Sequence, residues 1–157
     1  MTCVMLFHPE RQSKDLNAVK KSNKMIKVNI SGTIPTFLNT NKQTISDLIK
    51  ESISNFDLTG ELEIEIMFVD KEKIRKLNNR YRKVNQPTDV LSFPLNQFAG
   101  QKINFLGSLV VCGEIAAEKN ENVNEVIKHG LLHLLGYDHE KNQKSWREAA
   151  NLIDCSL

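Results

Sequence analysis

Hydrophobic and polar residues alternate along parts of the chain, as they do in strands with one buried face. In residues 61–66 leucine and isoleucine alternate with glutamates, which form the solvated face, and residues 25–30 repeat the same period of two. Two shorter apolar segments also have the composition of strands: residues 89–93, which end at Pro94, and residues 106–112. The pattern therefore predicts four strands.

Other segments carry apolar residues at the spacing of an amphipathic helix. Asp70 is placed to cap one of these helices, with Ile74 and Leu77 as its buried contacts. The predicted helices cover residues 43–56, 70–81, 113–120, 122–135 and 140–153. Because strands and helices alternate irregularly, we expect one α+β domain with a small mixed β-sheet covered by helices, and a loop over residues 96–105.

Length and composition fit one compact domain, because a chain of 157 residues with 40% apolar composition can bury a sizeable core. The formal net charge of +2 is too small to indicate a nucleic-acid partner by itself. No apolar run approaches the length of a membrane span, so no membrane association is expected. The three cysteines are far apart and form no paired motif, which favours free thiols and a cytoplasmic protein.

Residues 1–24 differ from the remainder of the chain, since they mix charged and polar residues without a sustained period. They contain no apolar core of a secretory signal. We therefore expect a disordered N-terminal extension at residues 1–24 and a folded domain at residues 25–157. Met25 is a candidate for the natural start, which the intact mass of the native protein would test.

Three of the four histidines lie between His129 and His139. His129 and His133 are four residues apart, so on a helix they project from the same face. Gly136 stands where helices commonly end in a left-handed conformation, and the reversed chain would bring His139 back beside the pair. Three imidazoles with a fourth position open are typical of a catalytic zinc site, so these histidines are the predicted metal ligands. The alternative is an ordinary pair of helix histidines with a third nearby by chance.

The residue after the first histidine bears on the type of reaction. The segment matches the metzincin protease pattern H-E-x-x-H-x-x-G-x-x-H, except that Gly130 occupies the position of the glutamate. In those proteases the glutamate is the general base that deprotonates the metal-bound water. Because glycine cannot act as a base, the sequence keeps the metal ligands and argues against peptide hydrolysis.

Seven of the 21 Lys and Arg residues fall within the second predicted helix and its end, against a single glutamate. Clustered in this way, they are candidates for binding a phosphate backbone, with Arg75, Lys76, Arg80 and Lys83 as the RNA-binding residues. The alternative is a solvated helix face. Arg82 is a separate case, because a guanidinium can hold a phosphate through two parallel hydrogen bonds, which makes it the candidate catalytic residue.

With these features assembled, the chain resembles the YbeY family, bacterial zinc-dependent endoribonucleases that act in ribosomal RNA maturation. The resemblance extends from residue 25 to the C-terminus and omits the N-terminal extension. It rests on four segments: residues 77–82 with their Leu-Asn and Tyr-Arg pairs, Pro-Thr-Asp-Val-Leu-Ser-Phe-Pro at 87–94, Leu-Gly at 106–107, and the histidine run at 129–139.

The resemblance implies a function for each of these features. His129, His133 and His139 match the family's zinc ligands, one Zn²⁺ per chain, and Arg82 matches its functionally important arginine. The implied fold is similar to that of metalloproteases, with the metal in a cleft. The implied substrate is single-stranded RNA, at the 3′ end of the small-subunit (16S) rRNA precursor, with a part in ribosome quality control. The small ribosomal subunit and its proteins are the implied partners.

One residue departs from the family pattern. Many members carry an acid directly after the Leu-Gly pair, whereas this chain has Ser108, which cannot serve as a carboxylate or a base. The nucleophile stays open between a zinc-bound water and the RNA 2′-hydroxyl. RNA hydrolysis is the first hypothesis, a non-catalytic ribosome assembly factor stabilised by zinc is the second, and a metalloprotease is a distant third.

Overall fold

The computed structural model describes residues 25–58, 60–95 and 103–156. The predicted extension at residues 1–24, and with it the proposed natural start at Met25, is therefore not tested, since the extension lies outside the described residues. Most of the predicted loop over residues 96–105 lies outside them as well.

A four-stranded mixed sheet forms the centre of the domain, in the order β1-β2-β4-β3. Its strands are β1 (Met25–Ser31), β2 (Glu61–Phe68), β3 (Val90–Pro94) and β4 (Ile103–Val111). β1, β2 and β4 run parallel, and β3 pairs antiparallel with β4 at one edge. The four predicted strands are confirmed.

The strand ends differ from the predicted ones by up to three residues, and two of these differences concern the predicted loop and Pro94. β4 begins at Ile103, so the last residues of the predicted loop belong to the sheet. β3 includes Pro94, which was predicted to end it. Proline is tolerated there because β3 is an edge strand and the next residue, Leu95, makes the bond to β4 by donating to the carbonyl oxygen of Leu106 at 3.2 Å.

Five α-helices surround the sheet in the described part of the chain. They are α1 (Lys42–Ser54), α2 (Lys71–Arg82), α3 (Gly113–Glu118), α4 (Val123–Leu134) and α5 (Gln143–Leu152). The five predicted helices are confirmed, with ends displaced by up to three residues. Asp70 caps α2 as predicted, since its Oδ1 accepts from the Lys73 backbone N–H at 2.7 Å.

The two faces of the sheet are covered unequally. One face, which we call the α4 face, packs against α1, α4 and α5 in the larger apolar cluster, which includes Leu109 and Leu131. The opposite face, which we call the α2 face, has a smaller cluster in which Ile74 of α2 packs with Leu91 and Val110. Much of the α2 face is therefore left half-exposed.

An ion pair between a buried carboxylate and an exposed lysine ties the start of β3 to the turn between α3 and α4. The carboxylate of Asp89 is fully buried, accepts from Thr88 Oγ1 at 2.9 Å and lies 3.2 Å from Lys119 Nζ. Burial, together with the hydrogen bond to Asp89, raises the pKa of Glu121 to about 7. Burial alone would raise the pKa of Asp89, but Glu121, Lys119 and Thr88 outweigh it and lower that pKa. The cluster directly precedes Asn122, whose side chain caps α4 by accepting from the Asn124 backbone N–H.

A glycine allows β4 to approach β3 closely. Gly107 has a φ of +131°, and a Cβ there would overlap the carbonyl oxygen of Phe93. It follows an irregularity in the pairing of β2 with β4, where the register shifts between Glu63 and Ile64. Only glycine combines this backbone conformation with this contact.

We expect Gly107→Ala to lower the free energy of unfolding by at least about 3 kcal/mol, since backbone strain and overpacking add. Gly136→Ala is the matched control, because Gly136 also has a positive φ, +92°, but a Cβ added there would have nothing within 4 Å. The control should lose only about 1–2 kcal/mol. Denaturant unfolding in the presence of a chelator measures the free energy of unfolding of both variants. Equal losses would contradict the close contact between Gly107 and the Phe93 carbonyl oxygen.

The interaction between the carboxyl groups of Asp89 and Glu121 predicts that the stability of the protein depends on pH. The pKa of Glu121 is about 7 in the folded protein and 4.5 in the unfolded chain. The stability that this group contributes is therefore fully present below pH 4.5 and is lost as the pH rises through about 7. Glu121→Gln keeps the contact without titrating. Its melting temperature should therefore rise relative to that of the natural chain between about pH 5 and about pH 8. Glu51→Gln, on an exposed position of α1, is the control. If the melting temperatures of Glu121→Gln and the natural chain changed with pH in parallel, the interaction between Asp89 and Glu121 would be refuted.

Candidate metal centre

The packing of α4 on the sheet determines the direction of its side chains. Gly130 faces β3 and β4, where a Cβ would lie 2.9 Å from Leu109 Cδ2 and 3.2 Å from both Ser92 Oγ and Val90 Cγ2. Ser92 Oγ also donates to the carbonyl oxygen of Gly130 at 3.2 Å. A side chain at position 130 would enter the sheet instead of reaching the histidines. The sequence indicated only that a base is missing there, because it does not show how the helix is rotated.

The end of α4 brings the third histidine back, as the sequence predicted. Gly136 has a φ of +92°, its N–H donates to the His133 carbonyl oxygen at 3.0 Å, and the Tyr137 N–H donates to that of Leu132 at 3.0 Å. These two bonds form a Schellman motif, which ends the helix and reverses the chain. His139 follows three residues after the glycine.

The three predicted ligands come together in one cluster. The nearest ring nitrogens of His129, His133 and His139 all lie within 4.8 Å of one another. The Nε2 atoms of His129 and His133 are 3.1 Å apart. These two side chains are 3% and 2% exposed, and His139 is half-buried. The site is therefore largely enclosed, with its more open side at His139.

The geometry fits a transition-metal ion. Two nitrogens that bind one tetrahedral zinc at about 2.0–2.1 Å are roughly 3.3 Å apart, close to the observed separation of the Nε2 atoms. Burial, and then the charges of His129 and His139, lower the pKa of His133 to about 3. His133 is therefore neutral near pH 7, and the neutral imidazole is the form that binds metals. Among the described residues, no fourth His, Cys, Asp or Glu joins this cluster.

Trp146 of α5 supports the cluster from one side. Its ring centroid lies 4.8 Å from that of His129, 4.9 Å from His133 and 5.0 Å from His139. Trp146 lies within the last predicted helix, at residues 140–153. No local signal indicates more, because the contact depends on how α5 folds back against α4.

The basic residues of α2 are largely occupied by local contacts. Arg75 Nη2 lies 2.8 Å and Lys76 Nζ 3.4 Å from the same carboxylate oxygen of Glu72. The Arg80 guanidinium carbon is 5.5 Å from the centroid of the Tyr81 ring, a cation–π arrangement.

The end of α2 carries the two remaining candidates. Lys83 ends the helix in a left-handed conformation, and its Nζ donates to the Arg80 carbonyl oxygen at 3.2 Å. Arg82 is the last helical residue and is half-buried. Because α2 packs on the α2 face, the body of the basic helix lies across the sheet from α4, an arrangement that spacing along the chain does not reveal.

A carboxylate lies beside Ser108, although position 108 carries none. Ser108 Oγ donates to Glu65 Oε2 at 2.9 Å, and the two residues are paired across β4 and β2. The sequence placed Glu65 on the solvated face of its strand. Strand alternation indicates the face, but the partner of Glu65 depends on the register, which only the assembled sheet fixes.

No helix in the described part of the chain is both long enough and apolar enough to cross a membrane.

Comparison with known proteins gives a family match over most of the chain. Residues 28–151 match the family model described as Endoribonuclease YbeY. A protein named Endoribonuclease YbeY from Sulfurihydrogenibium sp. (strain YO3AOP1) is 36% identical over an alignment of 121 residues, and the match covers 72% of this chain and 79% of that protein. Endoribonuclease YbeY from Aquifex aeolicus (strain VF5) is 41% identical over an alignment of 104 residues, and the match covers 59% of this chain and 68% of that protein.

A solution structure of a Thermotoga maritima protein is 28% identical with a TM-score of 0.46, and the match covers 83% of this chain and 87% of the other. The family match spans most of the described domain, including all three histidines and the segment from residue 87 to residue 94. The chain therefore belongs to the YbeY family.

Proposed function

We propose that this protein is a metal-dependent endoribonuclease that cleaves single-stranded RNA and holds one Zn²⁺ per chain. The convergence of three imidazoles, without a fourth protein ligand among the described residues, carries the proposal. A structural zinc is normally enclosed by four protein ligands, whereas a catalytic zinc keeps one position for water or substrate. The names of the relatives, endoribonucleases, support RNA as the substrate.

The protein's own residues have separate tasks in this reaction. A bound metal would supply a Lewis acid beside the scissile phosphate. His129, His133 and His139 would hold that metal, and Trp146 keeps the three rings in place. Arg82 would stabilise the charge that gathers on the phosphate in the transition state.

The basic residues of α2 would hold flanking phosphates. Arg75, Lys76, Arg80 and Lys83 are the residues proposed for this contact, which is electrostatic and therefore weakened by salt. For Arg75 and Lys76 this requires them to share Glu72 with the RNA or to leave it.

The proposed cellular role rests on the resemblance to the YbeY family. We propose that the substrate is the 3′ end region of the 16S rRNA precursor and that the protein acts in ribosome quality control. The small ribosomal subunit and its proteins would be the partners, in the cytoplasm.

A second candidate is a non-catalytic ribosome assembly factor in which zinc only stabilises the domain. The burial of His129 and His133 favours it, because enclosed ligands suit a structural role as well. Peptide hydrolysis is disfavoured further, since a glutamate at position 130 would point into the sheet and away from the histidines.

We expect the natural protein to cleave small-subunit rRNA precursor and His133→Ala to lose at least about a hundredfold in rate, because the metal contributes several kcal/mol. Arg82→Ala should lose about 10²–10³-fold if the guanidinium stabilises the transition state. Gel analysis of end-labelled precursor measures both rates.

Lys73→Ala is the matched control for Arg82→Ala, since Lys73 is an exposed cation on the same helix. Circular dichroism must show each variant folded. Equal cleavage by all variants would indicate a contaminating nuclease and would overturn the enzyme proposal.

Removal of the metal distinguishes the endoribonuclease from the non-catalytic assembly factor. If free zinc exceeds its dissociation constant a thousandfold, it should raise the melting temperature by roughly 10 °C over the chelated protein. His133→Ala should lack most of this shift. In an endoribonuclease, chelation also abolishes cleavage and zinc restores it. A full thermal shift without cleavage of any RNA, with RNA binding intact, would establish the assembly factor instead.

A further inference from the structure

The open part of the α2 face carries a row of four neighbouring side chains, which we call the open row: Glu65, Ser108, Phe93 and Tyr81. Strand pairing places Glu65 opposite Ser108 and Ser108 opposite Phe93. The Tyr81 ring packs against Phe93 edge to face, with centroids 5.1 Å apart and planes at 71°. The next row of the sheet, with Leu91, is buried beneath α2. The open row therefore lies at the margin of the area that α2 covers, with Tyr81 of α2 at one end of it.

One end of the open row is an accessible aromatic surface. Tyr81 is 43% exposed, although it is large and partly apolar. Arg80 lies over its ring at 5.5 Å, so a cation accompanies the aromatic group. Exposed aromatic rings beside arginine are typical of surfaces on which unpaired nucleobases stack.

The other end is a carboxylate held in place by a hydroxyl group. Ser108 donates to Oε2 of Glu65 at 2.9 Å, and no Lys, Arg or His of the described segments forms an ion pair with Glu65. Glu63, two residues earlier on the same strand, is instead paired with Lys27 at 3.1 Å. A carboxylate can accept several hydrogen bonds, so Glu65 keeps capacity for a ligand that donates them.

The open row lies beside the part of the sheet that contacts the last turn of α4. Gly107, next to Ser108, contacts α4, since a Cβ at position 107 would lie 3.1 Å from Leu134 Cδ2. Leu134 directly follows His133 along the helix. An RNA strand that crosses the edge strand β3 would therefore pass from the metal centre to the open row.

We propose that the open row is a guanine-binding site that positions single-stranded RNA for cleavage, an inference that deepens the proposed function and rests on it. Tyr81 stacks on the base, and Glu65 accepts from the two adjacent donors of its Watson–Crick edge, N1–H and the 2-amino group. Guanine has two donors side by side, whereas adenine and cytosine place an acceptor beside their amino group. Uracil has one N–H between two carbonyl groups.

Binding of short labelled RNAs tests the site. Oligouridines with one central G, A, C or U are titrated against the full chain by fluorescence anisotropy, and a gel afterwards shows that the RNA is intact. The natural protein should bind the G oligomer roughly tenfold more tightly than the other three, the discrimination expected of a bidentate contact.

Three variants assign the roles within the row. Glu65→Gln should remove the preference for G and leave the affinity for the all-U oligomer unchanged, because an amide no longer offers two acceptors. Tyr81→Ala should weaken the binding of all four oligomers roughly tenfold, because the stacking on the base is lost. Tyr81→Phe should keep the natural affinity, because its ring still stacks. Glu61→Gln, an exposed glutamate at the start of the same strand, is the matched control and should change nothing.

The outcomes distinguish this proposal from the function on which it rests. Equal affinity of the natural protein for all four oligomers, with metal-dependent cleavage present, would overturn the guanine site alone. A preference for A or C that Glu65→Gln removes would likewise refute guanine as the ligand. Absence of both binding and cleavage would overturn the guanine site and the endoribonuclease proposal together.

Discussion

The close contact between α4 and the sheet at Gly130 is the constraint on which the metal centre depends. Because position 130 has no side chain, the helix backbone lies against Leu109 and Ser92. That contact sets the rotation of α4, and the rotation directs His129 and His133 sideways toward α5. In this fold a larger residue at position 130 would push the helix away from β3 and β4, and the histidines would move with it.

The remaining contacts around the cluster hold imidazoles that are costly to bury. His129 and His133 are almost fully enclosed, and burial is the main reason that the pKa of His133 is lowered and this side chain stays neutral. The Schellman turn at Gly136 and the ring of Trp146 fix these rings in convergence. Polar nitrogens gathered in an apolar surrounding are stable only with partners, and a metal is the partner that satisfies several of them at once. A metal ion bound by these imidazoles would therefore add to the stability of the domain.

Different groups of functional side chains lie on the two sides of the sheet. His129 and His133 belong to α4, which covers the α4 face, whereas α2 and the open row lie on the α2 face. The edge strand β3 contributes to both, since Ser92 bonds to α4 while Phe93 packs against Tyr81. The period of two in a strand makes this possible within two adjacent residues. A substrate that uses both faces has to pass around this edge, which suits a flexible single strand better than a rigid duplex.

The sequence by itself determined the strands, the helices, the cap at Asp70, the turn at Gly136 and the identity of the three histidines. All of these depend on interactions between residues a few positions apart, so the local pattern carries them. Only the tertiary structure decided that Gly130 faces the sheet and that Trp146 touches every imidazole. It alone also placed Glu65 beside Ser108. Helix rotation, helix docking and strand register arise from contacts between residues far apart in the chain, and no local pattern encodes which of them meet.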